Sequence, residues 1–379
     1  MDTRKFYLDW LRVIAFCLLI CFHAGLLYGP WSYNLKSPRL VPGIEQVLLV
    51  FSVWRMPLLF LISGVASTFL IGKLGAGGFG LDRIRRLQPV ILFGMLVVIP
   101  PQVWVELYSK GITSDSYLHF WWTSYLPADQ TLAHISGKTF PTWDHLWFLV
   151  YLQVYVLVFA GVVGLGHLLR MIPAKAPALP RVLLLIGPAL WLAGTNVFID
   201  SGHPLTHALV DDWGGHVKWI GLFVTGVACA HQPVFWTTLR DRRWRFAGAA
   251  AVLLAAQFAS RGLVFSAVSG LYGWAAICTV CGFAHRYLNR PSATLSHLNE
   301  AVLPVYVLHQ PILLLAAYCM FPLGLPVPVE AAALVAITGL GSLAIYEVLI
   351  APFGVMRFLF GLKGKGDRRL PVIVKPLPS

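Results

Sequence analysis

The chain has 379 residues, of which 58% are hydrophobic and only 12% charged, and its mean hydropathy is +0.72. Soluble domains carry about a quarter charged residues, so lipid must cover much of a chain this apolar. The net charge is +13. Because the basic residues lie in short loops between apolar runs, without interleaved aromatics, they are typical of membrane orientation signals and exclude a nucleic-acid surface.

The apolar runs predict an all-α, polytopic membrane protein of about ten transmembrane helices, since one span needs about 20 mostly apolar residues. The first run contains Asp9 and Arg12 and has no small-x-small cleavage site, so it is a membrane helix and not a signal peptide. The sixth and seventh spans are the shortest. The predicted spans are Phe6–Gly29, Gln46–Ile71, Leu87–Leu107, His145–Leu169, Pro180–Val197, Val217–Ala230, Arg245–Ser260, Leu263–Phe283, Ala301–Phe321 and Val329–Phe353.

The loops between these spans alternate between rich and poor in Lys and Arg. The rich set includes Lys73–Arg86 and Arg240–Arg245 and ends with the chain's last segment. By the positive-inside rule, both termini lie in the cytoplasm and the protein is placed in a bacterial inner membrane. We divide the chain into one transmembrane domain, residues 1–362, and a basic, proline-containing tail, residues 363–379, that rests near anionic lipid. The longest outer loop, Tyr108–Asp144, contains an aromatic stretch that suits an interfacial helix, either an anchor or a lid.

Ionisable side chains inside a span are costly and normally face a cavity or a partner, so they are the site candidates. Arg12 and His23 lie eleven positions apart on the first span. At 100° per residue they return to within about 20° of the same face, and they are about 16 Å apart along the axis. Asp9 can pair with Arg12. A packing stripe with one satisfied histidine is the alternative.

The second span carries Arg55 at mid-depth, followed by Pro57, which we expect to bend the helix, and by Ser63-Gly64, which allows close packing. We expect Arg55 to face an interior cavity. At the next cytoplasmic loop, Arg83, Arg85 and Arg86 serve either as topology signals or as a grip on phosphate groups. The further polar candidates near span ends or within spans are His145, Trp147, Glu300, Tyr306, His309 and Glu347.

Two other groups suggest metal or redox chemistry and are interpreted otherwise. Cys278 and Cys281 have a C-x-x-C spacing but no second pair, and their apolar setting favours buried, inert thiols. A cluster of outer-loop residues matches no metal motif, and we interpret its members as solvated. They are His203, His207, Asp211, Asp212 and His216. No metal is expected.

The order and spacing of these motifs resemble the acyltransferase 3 family of membrane acyltransferases over nearly the whole chain, and most closely its periplasmic glucan succinyltransferase branch. The motifs are Leu8-Asp-Trp-Leu-Arg12 with His23, Arg55-Met, Phe60-Leu-Ile-Ser-Gly64, Arg83-Ile-Arg-Arg86, His145-Leu-Trp-Phe-Leu149, Phe283-Ala-His-Arg286, Asn299-Glu300, Tyr306-Val-Leu-His309-Gln-Pro311 and Tyr346-Glu347.

The resemblance implies that Arg12 and His23 form the family's catalytic pair and that Arg83 and Arg86 form its cytoplasmic R-x-x-R motif. It implies an enzyme that moves an acyl group from cytoplasmic acyl-CoA, acetyl-CoA or succinyl-CoA, to a hydroxyl of a periplasmic or membrane-associated carbohydrate. No cofactor would be bound permanently, and an oligomer is possible.

We accordingly predict His23, Arg12, Glu300 and His309 as catalytic. His23 acts either as general base or as transient acyl carrier, and Glu300 or Glu347 orients an imidazole. Donor binding is assigned to Arg83, Arg85, Arg86 and Arg55, with Arg12 or Arg55 also able to stabilise an oxyanion. The cavity and acceptor residues are Asp9, Ser63, His145, Trp147, Tyr306 and Glu347. A transporter or flippase using the same polar stripe, and a structural or sensor protein, remain the alternative functions.

Overall fold

The computed structural model describes residues 5–171 and 177–364, and within these ranges the chain is helical and forms no strand. The first helices are α1 (Phe6–Leu26), α2 (Ile44–Phe93), α3 (Pro100–Ser109), α4 (Tyr117–Phe120), α5 (Gln130–Ser136), α6 (Trp147–Leu168) and α7 (Arg181–Asp200). The others are α8 (Trp213–Cys229), α9 (Pro233–Asp241), α10 (Arg243–Ala259), α11 (Gly262–Tyr287), α12 (Ala293–Met320), α13 (Val327–Ile345) and α14 (Gly354–Leu359). The predicted basic tail lies almost entirely outside the described residues.

The described helices are those of a multi-pass membrane protein, as the composition predicts. Seven helical segments are long and apolar enough to span a bilayer. One of them, Ile44–Ser109, is 66 residues long and carries two of the predicted spans. The predicted sixth and seventh spans fall on α8 and α10, which have 17 residues each. All of the predicted spans therefore coincide with helices.

The segment between the second and third predicted spans differs from expectation. We expected a loop over Lys73–Arg86, but α2 runs through it with one interruption, at Gly75, where φ is 70° and ψ is 168°. Glycine has no Cβ and takes this conformation without steric cost. Pro57 was expected to bend the helix, yet Gly75 is where the backbone of α2 leaves helical geometry. The arginines of this region therefore stand on a helix.

Helix α1 lies at the centre of the bundle, packed against α2, α11, α12 and α13. Helix α2 in turn packs on α6 and α8. The α2–α8 crossing is very close, because a Cβ built on Gly64 would lie 2.0 Å from the carbonyl oxygen of Phe223, and one on Gly226 would lie 2.1 Å from that of Leu61. This confirms the prediction that Gly64 permits close packing. Because α1 is central, the side of α1 that carries Asp9, Arg12 and His23 faces other helices.

The outside of the bundle is apolar, as contact with lipid requires. Only 22% of the most apolar stretch of α7 is buried, and large side chains such as Val162, Leu190 and Leu340 are exposed. Cys278 and Cys281 are buried free thiols, which confirms the prediction made for them. The aromatic stretch of the long loop forms α4 and the π-helical turn Trp121–Tyr125, which confirms the predicted helix there.

Candidate active site

The site is built around a pair of histidines from α1 and α12. His23 Nδ1 lies 2.9 Å from His309 Nε2, and the two rings are nearly parallel with centroids 5.0 Å apart. His309 Nδ1 is hydrogen-bonded to the backbone carbonyl oxygen of Tyr306. The structure thus brings together two histidines that lie 286 positions apart in the chain.

These contacts fix the protons of the histidine pair when both rings are neutral. A carbonyl oxygen only accepts, so His309 Nδ1 carries the proton and His309 Nε2 has a bare lone pair. His23 Nδ1–H must therefore donate to His309 Nε2, which leaves the lone pair of His23 on Nε2. His23 is held as the tautomer that can take a proton at Nε2, and His309 can stabilise the imidazolium that forms. This is the logic of an oriented general base.

A third histidine closes the group. His145 is buried, its Nε2 donates to the carbonyl oxygen of Val307 at 3.0 Å, and its ring stands edge-on to His309 with centroids 5.3 Å apart. Tyr306 donates its hydroxyl proton to the carbonyl oxygen of His145. These two hydrogen bonds to backbone carbonyls fix the position of α12 against the start of α6. His145 and Tyr306 thereby help to hold His309 in place beside His23.

Arg55 lies at the level of His23 and not with the other arginines predicted to bind the donor. Its guanidinium lies over the ring of Phe22, 4.3 Å from the centroid, and Nη1 is 3.4 Å from the carbonyl oxygen of Leu18. Arg55 and Arg83 are 28 positions apart on α2, on opposite sides of the break at Gly75. The structure therefore places Arg55 apart from the R-x-x-R arginines. Its predicted place facing an interior cavity is what the structure shows.

That cavity, which we call the histidine cavity, has a volume of about 610 Å³. His23, Arg55, His145 and Trp147 line it together with Lys218 from α8. The ring of Trp147 packs against that of His207, with centroids 4.2 Å apart and the planes tilted by 31°. The predicted acceptor residues His145, Trp147 and Tyr306 thus do line one chamber with His23.

Arg12 opens on two other cavities. The first, the basic cavity, measures about 630 Å³, and the residues that line it include Lys5, Asp9, Arg12, Lys73 and His231. The second, the linking cavity, measures about 270 Å³, and the residues that line it include Arg12, Phe16, Ser63, Arg83 and Phe148. Ser63, a predicted acceptor residue, lines the linking cavity with Arg12 and Arg83 and is not among the residues that line the histidine cavity.

Arg12 itself is held by polar neighbours. Its Nη1 donates to Asp9 Oδ1 and to Asn299 Oδ1, each at 3.0 Å. The ring of Phe16 meets Tyr306 edge-on at 5.1 Å, between the linking cavity and the histidine cavity. The predicted common stripe of Arg12 and His23 therefore faces the interior over its whole length, and an aromatic contact divides it.

The three arginines that precede the third predicted span, Arg83, Arg85 and Arg86, do not share one environment. Arg83 and Arg86 both pair with Asp82, Arg86 Nε at 3.0 Å from Asp82 Oδ1, and Arg83 also lines the linking cavity. Arg85 is exposed and lines a separate apolar groove with Ile84. Residues two apart on a helix point about 200° apart, which is why Arg85 cannot share the cavity of Arg83. The structure thus places Arg85 on a different surface from Arg83.

The two carboxylates predicted to orient an imidazole lie away from the pair of His23 and His309, although Glu347 does pair with another imidazole, that of His297. Glu300 forms an ion pair with the buried Arg357 at 2.8 Å. It precedes His309 by nine positions on α12, about 13 Å along the axis, so it cannot reach that ring. Glu347 pairs with His297 Nε2 at 2.7 Å on a half-exposed surface. The backbone carbonyl of Tyr306 does the orienting that these carboxylates were expected to do.

The interpretation of the outer-loop cluster as solvated is wrong for Asp212, and His207 and His216 are half-buried. Asp212 is fully buried and accepts hydrogen bonds from Tyr151 Oη at 2.6 Å and from the backbone N–H groups of Thr206, His207 and Gly215. It thereby holds the loop that places His207 on Trp147. Two members of the cluster are exposed as expected: His203 and Asp211. The signal available in the sequence was an Asp followed by Trp-Gly-Gly, an N-cap pattern.

Two charged groups outside the spans have pKa values set by competing effects. Burial raises the pKa of the Asp212 carboxyl, but the hydrogen bonds from Tyr151 and the backbone outweigh it and hold the pKa below its ordinary value. Burial lowers the pKa of Lys138, but the carboxylates of Asp144 and Glu106 outweigh it and raise the pKa above its ordinary value. Lys138 Nζ lies 2.9 Å from Glu106 Oε2. Both groups are therefore charged near neutral pH.

Comparison with known proteins identifies a family and several relatives. The family described as an acyltransferase domain, acyltransferase 3, matches residues 5–347. The proteins named Glucans biosynthesis protein C of Salmonella paratyphi B, Salmonella dublin and Salmonella enteritidis are each 23% identical over 346 residues, which cover 82% of this chain and 83% of the relative. No solved structure matches.

Proposed function

We propose, from the premise that this chain belongs to the acyltransferase 3 family, that it transfers an acyl group from cytoplasmic acyl-CoA to a hydroxyl of a periplasmic or membrane-associated glycan. The relatives named for glucan biosynthesis support a glucan-like acceptor. The hydrogen-bonded pair of His23 and His309, which presents a bare Nε2 into a cavity, is the observation that carries the proposal.

The proposed topology has ten spans with both termini in the cytoplasm of a bacterium and the protein in the inner membrane. The alternation of basic loops supports it. In this orientation Arg12 and the basic cavity open toward the cytoplasm, and the histidine cavity opens toward the periplasm. Donor and acceptor thus approach from opposite faces of the membrane and meet at the aromatic contact between Phe16 and Tyr306.

The donor is a polyanion with a thin pantetheine arm. Lys5, Arg12 and Lys73 supply positive charge around the basic cavity, and Arg83 adds a guanidinium in the linking cavity. In the sequence, Lys5 and Lys73 indicate only membrane orientation. The pantetheine arm would follow the linking cavity, where apolar side chains predominate, and displace Phe16 from Tyr306 to bring the thioester beside His23.

The chemistry then follows from the tautomer of His23. The acceptor oxygen attacks the thioester carbonyl carbon while His23 Nε2 takes the hydroxyl proton. Arg55, held within the histidine cavity, stabilises the negative oxygen of the tetrahedral intermediate. The carbon–sulfur bond breaks, and the CoA thiolate receives the proton from His23. His309 Nε2 accepts the Nδ1–H hydrogen bond throughout and so stabilises the imidazolium. Transient acylation of His23 is the second route, with His309 in the same orienting role.

The test is acyl transfer by the full chain in lipid nanodiscs. Radiolabelled acetyl-CoA or succinyl-CoA is supplied with a glucan, and labelled glucan and released CoA are both measured. His23→Ala should lose transfer by at least about a hundredfold, whereas His203→Ala, which alters an exposed loop histidine, should retain it. Equal transfer by both variants would refute the role of His23. Two cavities on either side of an aromatic contact also suit a transporter, and glucan movement across proteoliposomes without CoA release would establish that function instead.

A further inference from the structure

The histidine cavity has an unusual concentration of polar atoms that the protein leaves without partners. Five residues of the described ranges that line it each carry a buried side-chain atom that forms no hydrogen bond: Tyr33 Oη, Arg55 Nε, His145 Nδ1, Trp219 Nε1 and Ser269 Oγ. Buried polar groups in native proteins are almost always hydrogen-bonded. Their convergence on one chamber indicates that its occupant supplies hydrogen-bond partners at several points at once.

The unpartnered atoms fall into two groups. Tyr33, Arg55 and His145 lie with His23, where the acyl group is transferred. Trp219 and Ser269 come from α8 and α11 and line the part of the cavity built by α7, α8 and α11, which we call the remote end. The proposed chemistry uses no residue of the remote end, so its polar groups need another explanation.

The remote end is held in place by a network of polar side chains. Lys218 Nζ donates to Asn196 Oδ1 at 2.8 Å, and Asn196 Nδ2 donates to the carbonyl oxygen of Ser266 at 3.2 Å. The hydroxyl of Ser266 donates to the carboxylate of Asp200. Asn196, Asp200 and Lys218 all line the cavity. The network fixes an amide, a carboxylate and an ammonium group on one wall, which together can both donate and accept.

Aromatic rings form the adjoining wall. The ring centroids of Trp147 and Trp219 are 5.5 Å apart, and Trp219 is backed by Phe60 in a stacked contact at 5.3 Å. His207 packs on Trp147 and lines the cavity as well. Aromatic surface beside a few fixed polar groups is the usual composition of a small-molecule pocket. A pyranose ring suits it because its C–H face packs on aromatic rings while its hydroxyl rim meets the polar wall.

The charges around the cavity indicate what kind of sugar fits. Arg55 and Lys218 are the basic lysine and arginine side chains that line it, and Asp144 and Asp200 are the carboxylates that line it. Asp144 already pairs with Lys138, whereas Lys218 and Asp200 are the two charged groups of the wall built by α7 and α8. Their charges are opposite, so a neutral ligand at the remote end leaves neither of them in need of a further counter-charge. The volume of about 610 Å³ lies within the range of roughly 300–1,000 Å³ that holds ligands of drug size, which suffices for more than one sugar ring.

We infer that the remote end is a binding subsite for a neutral sugar ring of the acceptor, next to the ring whose hydroxyl is acylated at His23. The ring lies against Trp147 and Trp219, and its hydroxyls pair with Trp219 Nε1, Ser269 Oγ and Lys218. This inference rests on the proposed function for the identity of the neighbouring ring. The subsite itself is a property of the cavity and can be tested without catalysis.

The binding test uses the full chain in nanodiscs and cellobiose as the neutral probe, with the corresponding disaccharide of glucuronic acid as the acidic one. Saturation-transfer NMR should show contact with cellobiose, and the acidic disaccharide should bind at least about fivefold more weakly. Trp219→Phe removes the indole N–H and Ser269→Ala the hydroxyl. Each should weaken cellobiose binding about fivefold or more, the effect of one lost hydrogen bond. Trp244→Phe and Ser296→Ala change exposed residues outside the cavity and serve as matched controls.

Several outcomes overturn the inference. Absence of saturation transfer to cellobiose at millimolar concentration would mean that water alone fills the remote end. Equal binding of the acidic disaccharide would refute the preference for a neutral ring. Binding by Trp219→Phe and Ser269→Ala that equals binding by the controls would place the sugar elsewhere.

Kinetics separate this inference from the proposed function. With a glucan acceptor, Trp219→Phe and Ser269→Ala should raise the KM for acceptor about fivefold and leave the KM for donor unchanged. If wild type binds cellobiose at this end but transfers no acyl group, the proposed function fails and the subsite stands. If wild type transfers acyl groups and the acceptor KM of both variants equals that of the controls, the subsite fails and the proposed function stands.

Discussion

The histidine pair gives the sharpest prediction. His309 is fully buried, and its Nε2 accepts from His23 Nδ1 at 2.9 Å while its own Nδ1 is fixed by a backbone carbonyl. In His309→Ala, His23 loses the partner that holds its tautomer and stabilises its imidazolium. The variant keeps the base itself and loses the hydrogen bond that orients it and stabilises its charged form. His309→Gln offers an amide oxygen that can accept from His23 Nδ1, so it should recover part of the loss.

The expected magnitude follows from the hydrogen bond between the two rings. A hydrogen bond to a charged group contributes about 1.5–3 kcal/mol. At about 1.36 kcal/mol per tenfold in rate, kcat of His309→Ala should fall about 10- to 150-fold. His23→Ala removes the base and should lose more, about 10²- to 10⁴-fold. Because His309 acts through His23, the double variant should be no slower than His23→Ala alone.

The assay is steady-state acyl transfer in nanodiscs with donor and acceptor varied in turn, after thermal unfolding confirms that each variant is folded. The KM values for both substrates should stay within about twofold of wild type. A kcat of His309→Ala within about threefold of wild type would refute the orienting role. Multiplication of the two single effects in the double variant would show instead that His309 acts independently of His23.

Three further predictions follow from other parts of the structure. Arg83→Ala should raise the KM for acyl-CoA about tenfold, because it removes a guanidinium group that can bind the donor. Arg85→Ala changes a different surface and should leave this KM unchanged. An equal rise in KM for the two variants would refute the separate placement of Arg83 and Arg85 relative to the donor. Gly64→Ala should lower stability in thermal unfolding by about 1–3 kcal/mol or more, because its Cβ would lie 2.0 Å from a backbone oxygen; Gly161→Ala, with open space around it, is the control, and an equal Tm for the two would refute the close crossing. Asp212→Asn should cost about 2 kcal/mol at neutral pH. Since the pKa of Asp212 is depressed in the fold, its contribution is present above the ordinary carboxyl pKa of about 4 and is lost as pH falls through the folded value, so a stability difference that grows with acidification would refute it.

The sequence by itself determined the helical membrane architecture and the polar face of α1. Both depend on local properties, the length of apolar runs and the period of the helix. The helical period alone therefore predicts that Arg12 and His23 share one face of α1, and the structure confirms that this face is directed to the interior. The close packing at Gly64 followed in the same way from the absence of a side chain. Local rules failed at Gly75, where a single glycine with positive φ replaces the loop that the charges suggested.

Only the tertiary structure decided which polar groups meet. His23 and His309 are 286 positions apart, and their contact depends on the depth and rotation at which α12 packs on α1. The same packing pairs Glu300 with Arg357, and the backbone carbonyl of Tyr306 orients the imidazole of His309. The burial of Asp212 likewise depends on groups contributed by another helix and by its own loop. Helical period fixes where a side chain points on its own helix, whereas its partner is set by how side chains of different helices interdigitate, and no local pattern in the chain encodes that arrangement.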